Sequence, residues 1–135
     1  MNSSWYTGSG DDGSTSLFGP ERVSKSSPQP EAYGSVDEAS AFLGLIRAQI
    51  DDKSAAILKR IQNDFYVIMA ELASTPDKLS TIDRLDNDRL HWLETQIDLL
   101  AEEVEPVTDF VQSGDSKLGA LIDVGRTVVR RAERR

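Results

Sequence analysis

Cysteine is absent from the 135 residues, histidine occurs once, and aromatic residues make up only 7% of the chain. The lack of cysteine excludes a disulfide framework, a thiolate metal site and a cysteine nucleophile. No apolar run approaches the length of a membrane span, and the opening residues MNSSWYTGSG lack the apolar centre of a signal peptide. Positive charge is also scarce, because the net charge is −8. We therefore expect a cytoplasmic protein that binds neither nucleic acid nor a membrane surface.

The positive charge that does occur gathers at the C-terminal end. The last ten residues, RTVVRRAERR, hold five arginines and one glutamate. Two interpretations are open at this point. The arginines build an anion site, or they only offset the macrodipole at the end of a helix.

The length predicts one domain over residues 1–135. Residues 1–34 are rich in glycine, proline and serine, which predicts a loop. Capping boxes at Ser35 with Glu38 and at Ser80 with Asp83 predict two helix starts. Helical spacing of apolar residues predicts four helices in all: Ser35 to about residue 50, about 54–73, Ser80 to about Glu105, and about 116 to the end.

These elements predict an all-α, antiparallel helix bundle over residues 35–135, because no stretch shows strand alternation and the linkers look short. A bundle does not need a long glycine-rich N-terminal loop. The loop is either a disordered tail or a segment that packs on the bundle. The apolar side chains of Leu17, Phe18 and Tyr33 favour packing.

The fourth helix has two chemically different faces. Arg126, Arg130 and Glu133 share one face, and a different, apolar face consists of Leu118, Leu121, Ile122, Gly125, Val128, Val129 and Ala132. Guanidinium groups match the geometry of phosphate oxygens, which indicates an anion site. The alternative is an ordinary surface pair between Arg130 and Glu133.

The N-terminal loop carries groups that suit a phosphate. Its glycines allow backbone N–H groups to converge on phosphate oxygens, and Lys25 adds a cation. Asp11 and Asp12 need another explanation, since carboxylates repel phosphate. They either bind magnesium or its waters, or tie down the loop itself. The segment lacks a Walker A motif.

Six segments in chain order, from Tyr6 to Arg135, together resemble the PduO-type ATP:cob(I)alamin adenosyltransferases. They are YTGSGDDGSTSLFG with ERVSK, EAYGSVDE, IQNDF with AELA, LE with ID, DFVQSG, and GRTVVRRAERR. The resemblance implies a five-helix bundle, usually a homotrimer, with ATP and corrinoid sites at subunit interfaces. Only four of the five helices are expected here, without the adenosine-side asparagine and aspartate of the last one.

The resemblance also implies roles for individual residues. Asp37 would pair with Arg126 across an interface near the corrin, and Phe110 would press on the lower corrin face. The alternatives are that Asp37 is only a first-turn acid and that Phe110 is a core residue. The implied ATP contacts are Thr7, Gly8, Ser9, Gly10, Thr15, Ser16, Lys25, Arg130, Arg131, Ala132, Glu133 and Arg134.

The implied reaction moves the 5′-deoxyadenosyl group of ATP to the cobalt of cob(I)alamin and releases triphosphate, with Mg²⁺ as cofactor. Reduced cobalt is itself the nucleophile, so the single histidine, His91, is interpreted as a structural or surface residue. The protein's tasks are positioning and electrostatics. A cobalamin reductase or a cobalamin-dependent enzyme is an implied partner.

Four residues depart from the family pattern. Gly8 replaces a usual lysine or arginine, Ser9 a threonine and Asp123 a common histidine, while Asp115 places a carboxylate near the corrin region. These departures motivate a second hypothesis, an ATP- or corrinoid-binding helical module with little or no turnover. A third is a purely structural bundle whose polar end is solvated surface.

Overall fold

A computed structural model of the chain describes residues 7–135, so residues 1–6, including Tyr6 and the start of the predicted loop, lie outside the described part. The elements, in chain order, are strands β1 (Ser14–Ser16) and β2 (Arg22–Ser24), helix α1 (Pro28–Arg47), helix α2 (Asp52–Leu72), a 3-10 turn (Leu79–Thr81), helix α3 (Asn87–Ala101) and helix α4 (Lys117–Glu133). The predicted four-helix, all-α bundle is confirmed, with one small two-stranded hairpin added.

Helix α1 is the centre of the bundle, because α2 and α4 both pack antiparallel against it. On the α2 side, the Gln62 amide donates to the Ser40 carbonyl at 2.8 Å, and the Gln29 amide donates to the Leu72 carbonyl at 3.1 Å. Residue numbers therefore rise along α1 as they fall along α2. The buried apolar side chains of α1 face both neighbours and form most of the core: Val36, Ala39, Leu43 and Ile46.

Helix α4 runs along the other side of α1. Glu38 pairs with Arg131 at 2.6 Å, and Glu31 pairs with Arg135 at 3.5 Å. Further along the same contact, a Cβ placed on Gly125 would lie 2.5 Å from Cδ1 of Ile46. Gly125 therefore leaves room for the tip of the Ile46 side chain in the α1–α4 contact.

Helix α3 contacts α2 through polar and stacked side chains. Arg89 pairs with Asp64, and the Arg60 guanidinium lies 3.9 Å from the centre of the Trp92 ring. Lys53 pairs with Glu103, beyond the end of α3, at 3.0 Å. The apolar side chains whose helical spacing predicts the third helix are largely exposed in the single chain, including Ile97 and Leu100.

The predicted start of the first helix at Ser35 is wrong, because α1 begins seven residues earlier, at Pro28. Pro28 and Pro30 fall within the predicted loop of residues 1–34. Both lie in the first turn, where a backbone N–H has no partner within the helix, so proline is tolerated there. The Ser35 hydroxyl donates to the Glu31 carbonyl inside the helix rather than capping it.

The third helix also starts later than predicted, at Asn87 rather than Ser80, and it ends at Ala101 rather than near Glu105. Asp86 is its N-cap and accepts from the Arg89 amide at 3.0 Å. Ile82 has an extended backbone, which interrupts any helix through the Ser80–Asp83 box. The predicted bounds of the second and fourth helices differ from Asp52–Leu72 and Lys117–Glu133 by one or two residues.

The glycine-rich segment is folded against the bundle over the part that the structure describes. Strands β1 and β2 pair antiparallel, with Ser14 opposite Ser24. Leu17 is buried, the Phe18 amide donates to the Ala73 carbonyl at 2.7 Å, and the Thr75 amide donates to the Phe18 carbonyl at 3.2 Å. The hairpin is therefore attached to the C-terminal end of α2, which agrees with the packed alternative rather than the disordered tail.

Candidate functional site

The loop before β1 is a compact series of turns. The Asp11 amide donates to the Gly8 carbonyl at 3.1 Å, and the Gly13 amide donates to the Gly10 carbonyl at 3.2 Å. Gly8 and Gly13 have φ of 68° and 82°, a region that side chains other than glycine rarely adopt. The glycines are thus required by the shape of the loop.

Asp12 ties this loop down. Its carboxylate accepts from the Ser14 amide at 2.8 Å and from the Ser14 hydroxyl at 2.7 Å. These hydrogen bonds, with a smaller contribution from the Arg22 guanidinium, lower the pKa of the Asp12 carboxyl below its ordinary value of 3.8. The sequence predicts that Asp11 and Asp12 either bind magnesium or its waters or hold the loop in place, and the contacts of Asp12 agree with the second role.

Hydroxyl and ammonium groups surround the same loop. The Thr7 and Ser9 hydroxyls share a hydrogen bond of 2.8 Å. The Lys25 Nζ atom lies 3.0 Å from the position that a Cβ on Gly10 would occupy, and the Lys25 amide donates to the Gly13 carbonyl at 2.9 Å. The ammonium group is therefore held beside the glycine turns. Thr15 and Ser16 follow on strand β1.

The arginines of the RRAER block differ in their surroundings. Arg131 is paired with Glu38 of α1, whereas Arg130 and Arg134 form no ion pair with any residue between 7 and 135. The alternative surface pair of Arg130 with Glu133 is thus not formed. Arg130 lines an apolar groove of about 690 Å³ between α1, α2 and α4. Its exposed guanidinium is available to an anion.

The hairpin and the arginine end of α4 lie at the same end of the bundle. The hairpin is bonded to Ala73 after α2, Gln29 of α1 is bonded to Leu72, and Glu31 of α1 is paired with Arg135. A cavity of about 420 Å³ lies between the three helices here. Within residues 7–135, no hydrogen bond or ion pair joins the hairpin directly to α4, so the two segments are neighbours through α1 and α2.

Of the residues predicted near the corrin, Phe110 and Arg126 lie away from the 420 Å³ cavity. Asp37 lies on α1 between Val36, which lines that cavity, and Glu38, which pairs with Arg131. Arg126 donates from Nε to Asp123 of its own helix at 2.8 Å, and Asp37 is exposed on α1 without contact to Arg126 in the single chain. Phe110 is 97% exposed in the segment between α3 and α4, so its interpretation as a core residue is wrong. Phe110, Asp123 and Arg126 all line one open cavity of about 610 Å³.

Comparison with known proteins shows to which family the chain belongs. The family model for cobalamin adenosyltransferase matches residues 5–135. The chain belongs to this family. The resemblance read from the six segments is therefore confirmed.

Individual relatives cover the chain almost completely. The corrinoid adenosyltransferase PduO of Salmonella typhimurium is 39% identical over 132 residues, which is 96% of this chain and 39% of that protein. The corrinoid adenosyltransferase of Bacillus subtilis is 35% identical over 136 residues, or 96% of this chain and 68% of that protein. The chain thus spans about two-fifths of one relative and two-thirds of the other.

Solved structures of the family share the fold. A variant PduO-type ATP:corrinoid adenosyltransferase from Lactobacillus reuteri, complexed with cobalamin and ATP, superposes with a TM-score of 0.88 at 30% identity. The match covers 97% of this chain and 73% of that one. A second variant, complexed with ATP, gives a TM-score of 0.85 at 30% identity.

Three contacts of the site were missed from the sequence. Arg22 binds several atoms of the N-terminal loop, Glu38 pairs with Arg131, and Asp123 pairs with Arg126. The last pair has the three-residue spacing of a helical ion pair and was detectable. The other two join residues that only the hairpin register and the α1–α4 packing bring together.

Proposed function

We propose that the chain transfers the 5′-deoxyadenosyl group of ATP to the cobalt of a reduced corrinoid and releases inorganic triphosphate. The observation that carries this proposal is that a member of this family has a turn-rich N-terminal loop with Lys25 beside its glycines and, on α4, an exposed arginine, Arg130, with no ion-pair partner among residues 7–135. Relatives with the same fold are described as complexed with cobalamin and ATP.

In this proposal the hairpin and α4 bind the triphosphate part of ATP. Lys25 and Arg130 supply positive charge, and the turn amides and hydroxyls supply hydrogen-bond donors. The segments proposed to contact ATP are Thr7, Gly8, Ser9, Gly10, Thr15, Ser16 and Lys25 of the hairpin, and Arg130, Arg131, Ala132, Glu133 and Arg134 of α4. Because Arg131 is paired with Glu38, its charge is partly offset, and its proposed role is to orient the triphosphate rather than to neutralise its charge.

The chemistry needs no side-chain nucleophile. Reduced cobalt, which belongs to the substrate, attacks C5′ of ATP, a cobalt–carbon bond forms, and the bond from C5′ to the triphosphate oxygen breaks. The negative charge on the departing triphosphate grows as this bond breaks. Lys25 and Arg130 offset that charge, which is the electrostatic form of catalysis.

The corrinoid side of the proposal involves Phe110, Asp37 and Arg126. The exposed Phe110 ring is free to press on a flat apolar ligand and to keep the lower axial ligand away from cobalt, which makes reduction easier. Asp37 and Arg126 are proposed to pair between subunits of a homotrimer. Asp123 already binds Arg126, so Asp37 has to share that guanidinium or displace Asp123.

Magnesium is proposed to arrive with the triphosphate. No group of three or more histidine, cysteine or acidic side chains suited to a metal occurs among the described residues, and Mg²⁺ is commonly bound by phosphates with one or two carboxylates. Asp11 is the exposed carboxylate of the loop that fits this role.

No helix in residues 7–135 is long and apolar enough to cross a membrane. A cytoplasmic location, and a cobalamin reductase or a cobalamin-dependent enzyme as partner, complete the proposal.

Binding without turnover is the alternative, and the Asp123–Arg126 pair favours it because it occupies the guanidinium proposed for the corrinoid side. Anaerobic incubation with ATP, Mg²⁺ and chemically reduced cobalamin separates the two. The absorption spectrum of adenosylcobalamin should develop in a time- and protein-dependent manner. Bound ATP or cobalamin with no such spectrum would support the binding module instead, and failure to bind either ligand would support a structural bundle.

A further inference from the structure

Arg22 of strand β2 contacts Ser9 in the turns before β1 and two residues of strand β1, Ser14 and Ser16. Its Nη2 donates to the Ser9 carbonyl at 2.7 Å, its Nε to the Ser14 hydroxyl at 3.1 Å, and its Nη1 to the Ser16 hydroxyl at 3.2 Å. The Asp12 carboxylate lies 3.5 Å from Nη2. One side chain therefore joins the turns before β1 to both strands of the hairpin.

The geometry of these contacts requires a guanidinium group. Arginine has donors on three nitrogen atoms in a fixed plane, which matches acceptors on different sides of the group. A lysine ammonium is a compact donor on a flexible stem and reaches fewer acceptors at once. The positions of Ser9, Ser14 and Ser16 thus depend on the shape of the Arg22 side chain and not only on its charge.

Without these contacts, fixing the loop in one conformation would cost a large amount of conformational entropy. It contains Gly8, Gly10 and Gly13, and glycine loses more backbone freedom than any other residue when it becomes fixed. Arg22 and Asp12 both bind the Ser14 hydroxyl, which donates to the Asp12 carboxylate and accepts from Arg22, and the two side chains lie 3.5 Å from each other. A loop held in this way keeps its amides and hydroxyls in place before a ligand arrives, which raises affinity by preorganisation.

We infer that Arg22 is a positioning residue that preorganises the ATP-binding loop without itself contacting the phosphates. The inference rests on the proposed function of the hairpin as part of an ATP site. The donors of Arg22 are hydrogen-bonded to loop and strand oxygens, so Arg22 affects ATP binding indirectly, by positioning Ser9, Ser14 and Asp12. It differs in this respect from Lys25 and Arg130, which are proposed to bind phosphate directly.

The test compares Arg22→Gln and Arg22→Lys with the wild-type protein, with Arg60→Gln as a control because Arg60 stacks on Trp92 at the α2–α3 contact. Hydrogen exchange of the peptide covering residues 7–16 is measured first, without nucleotide. Both Arg22 variants should exchange faster in this peptide, whereas their α1 and α2 peptides should exchange as in wild type. In the control variant, the peptide covering residues 7–16 should exchange as in wild type. Unchanged exchange in Arg22→Gln would overturn the inference.

ATP affinity is measured next on the same proteins by calorimetry, together with KM for ATP and kcat. Both Arg22 variants should bind ATP about tenfold more weakly, with a matching rise in KM and little change in kcat at saturating ATP. An Arg22→Lys protein with wild-type affinity would overturn the inference, because charge alone would then suffice. A wild-type protein that binds no ATP would contradict the proposed function, whereas equal ATP binding by wild type and both Arg22 variants would contradict this inference alone.

Discussion

Arg130 is the residue on which the proposed anion site depends most directly. It lies on α4 with no ion-pair partner among residues 7–135, while its neighbour Arg131 is paired with Glu38. Arg130→Ala should weaken ATP binding by roughly 1.5–3 kcal/mol, the usual value of a hydrogen bond to a charged group. Calorimetric titration with ATP measures this change. Arg84→Ala, which removes an exposed arginine paired with Glu71, is the control and should bind ATP normally; an equally tight Arg130→Ala protein would contradict the assignment.

Asp12 gives the loop a defined pH dependence. Hydrogen bonds from Ser14 and the nearby Arg22 lower the pKa of its carboxyl in the folded protein below 3.8. A carboxyl with a depressed folded pKa stabilises the fold above its unfolded pKa, and that stabilisation is lost as the pH falls through the folded value. The Ser14 amide resonance should therefore titrate below pH 3.8 as the pH is lowered from neutral, and Asp12→Asn should abolish this transition. A midpoint above 3.8 would contradict the hydrogen-bond account.

The helices could be predicted from the sequence better than their ends. The apolar periodicity predicts all four helices because apolar residues recur every three to four positions along one side of each helix. The start of α1 was missed because Pro28 and Pro30 look like loop residues, although the first helical turn tolerates proline. The start of α3 was missed because apolar spacing continues through Ile82, where the backbone is extended.

Only the parts of the site that lie within short segments of the chain could be predicted from the sequence. Local spacing indicated the arginine face of α4 and the glycine turns of the loop, since both are properties of short segments. The Arg22 contacts and the Glu38–Arg131 pair join segments that are distant in sequence. Such pairs depend on tertiary packing, which no local pattern encodes.

Gly19 links the hairpin to the rest of the bundle. It has a φ of 149°, and a Cβ there would lie 1.9 Å from the Thr75 hydroxyl oxygen. Gly19→Ala should force the hairpin away from Thr75 and lower ATP affinity at least several-fold, while far-UV circular dichroism of the helices changes little. Gly34→Ala is the matched control, because Gly34 lies inside α1 with no atom near the added Cβ, and alanine favours a helix by up to about 1 kcal/mol over glycine. Unchanged ATP affinity in Gly19→Ala would show that the attachment of the hairpin is dispensable.

The single chain leaves apolar surface exposed along α3 and the segment that follows it. Ile97, Leu100, Val104, Val107 and Phe110 are all exposed, and exposed apolar surface of this kind is typical of an interaction site. The family resemblance implies a homotrimer, for which light scattering should give three times the chain mass of 14.9 kDa. A well-behaved monomer at micromolar concentration would contradict this expectation.

The proposed division of labour between subunits has a separate test. Asp37 is exposed on α1 and makes no contact with Arg126 in its own chain, so its proposed pairing lies between subunits. Asp37→Ala should impair corrinoid use more than ATP binding, because only the corrinoid side depends on that pair. Affinities for ATP and for cobalamin measured on the same preparation report the difference. Equal loss of both would argue against it.

In the proposed transfer, triphosphate leaves as one piece, and the stoichiometry of products is the test. Wild-type protein is incubated anaerobically with ATP, Mg²⁺ and cob(I)alamin, and the adenosylcobalamin and inorganic triphosphate formed are quantified from the same samples. We expect equal molar amounts of the two products, both strongly reduced in Arg130→Ala. Formation of ADP and phosphate instead, or no adenosylcobalamin from protein that binds both substrates, would contradict it.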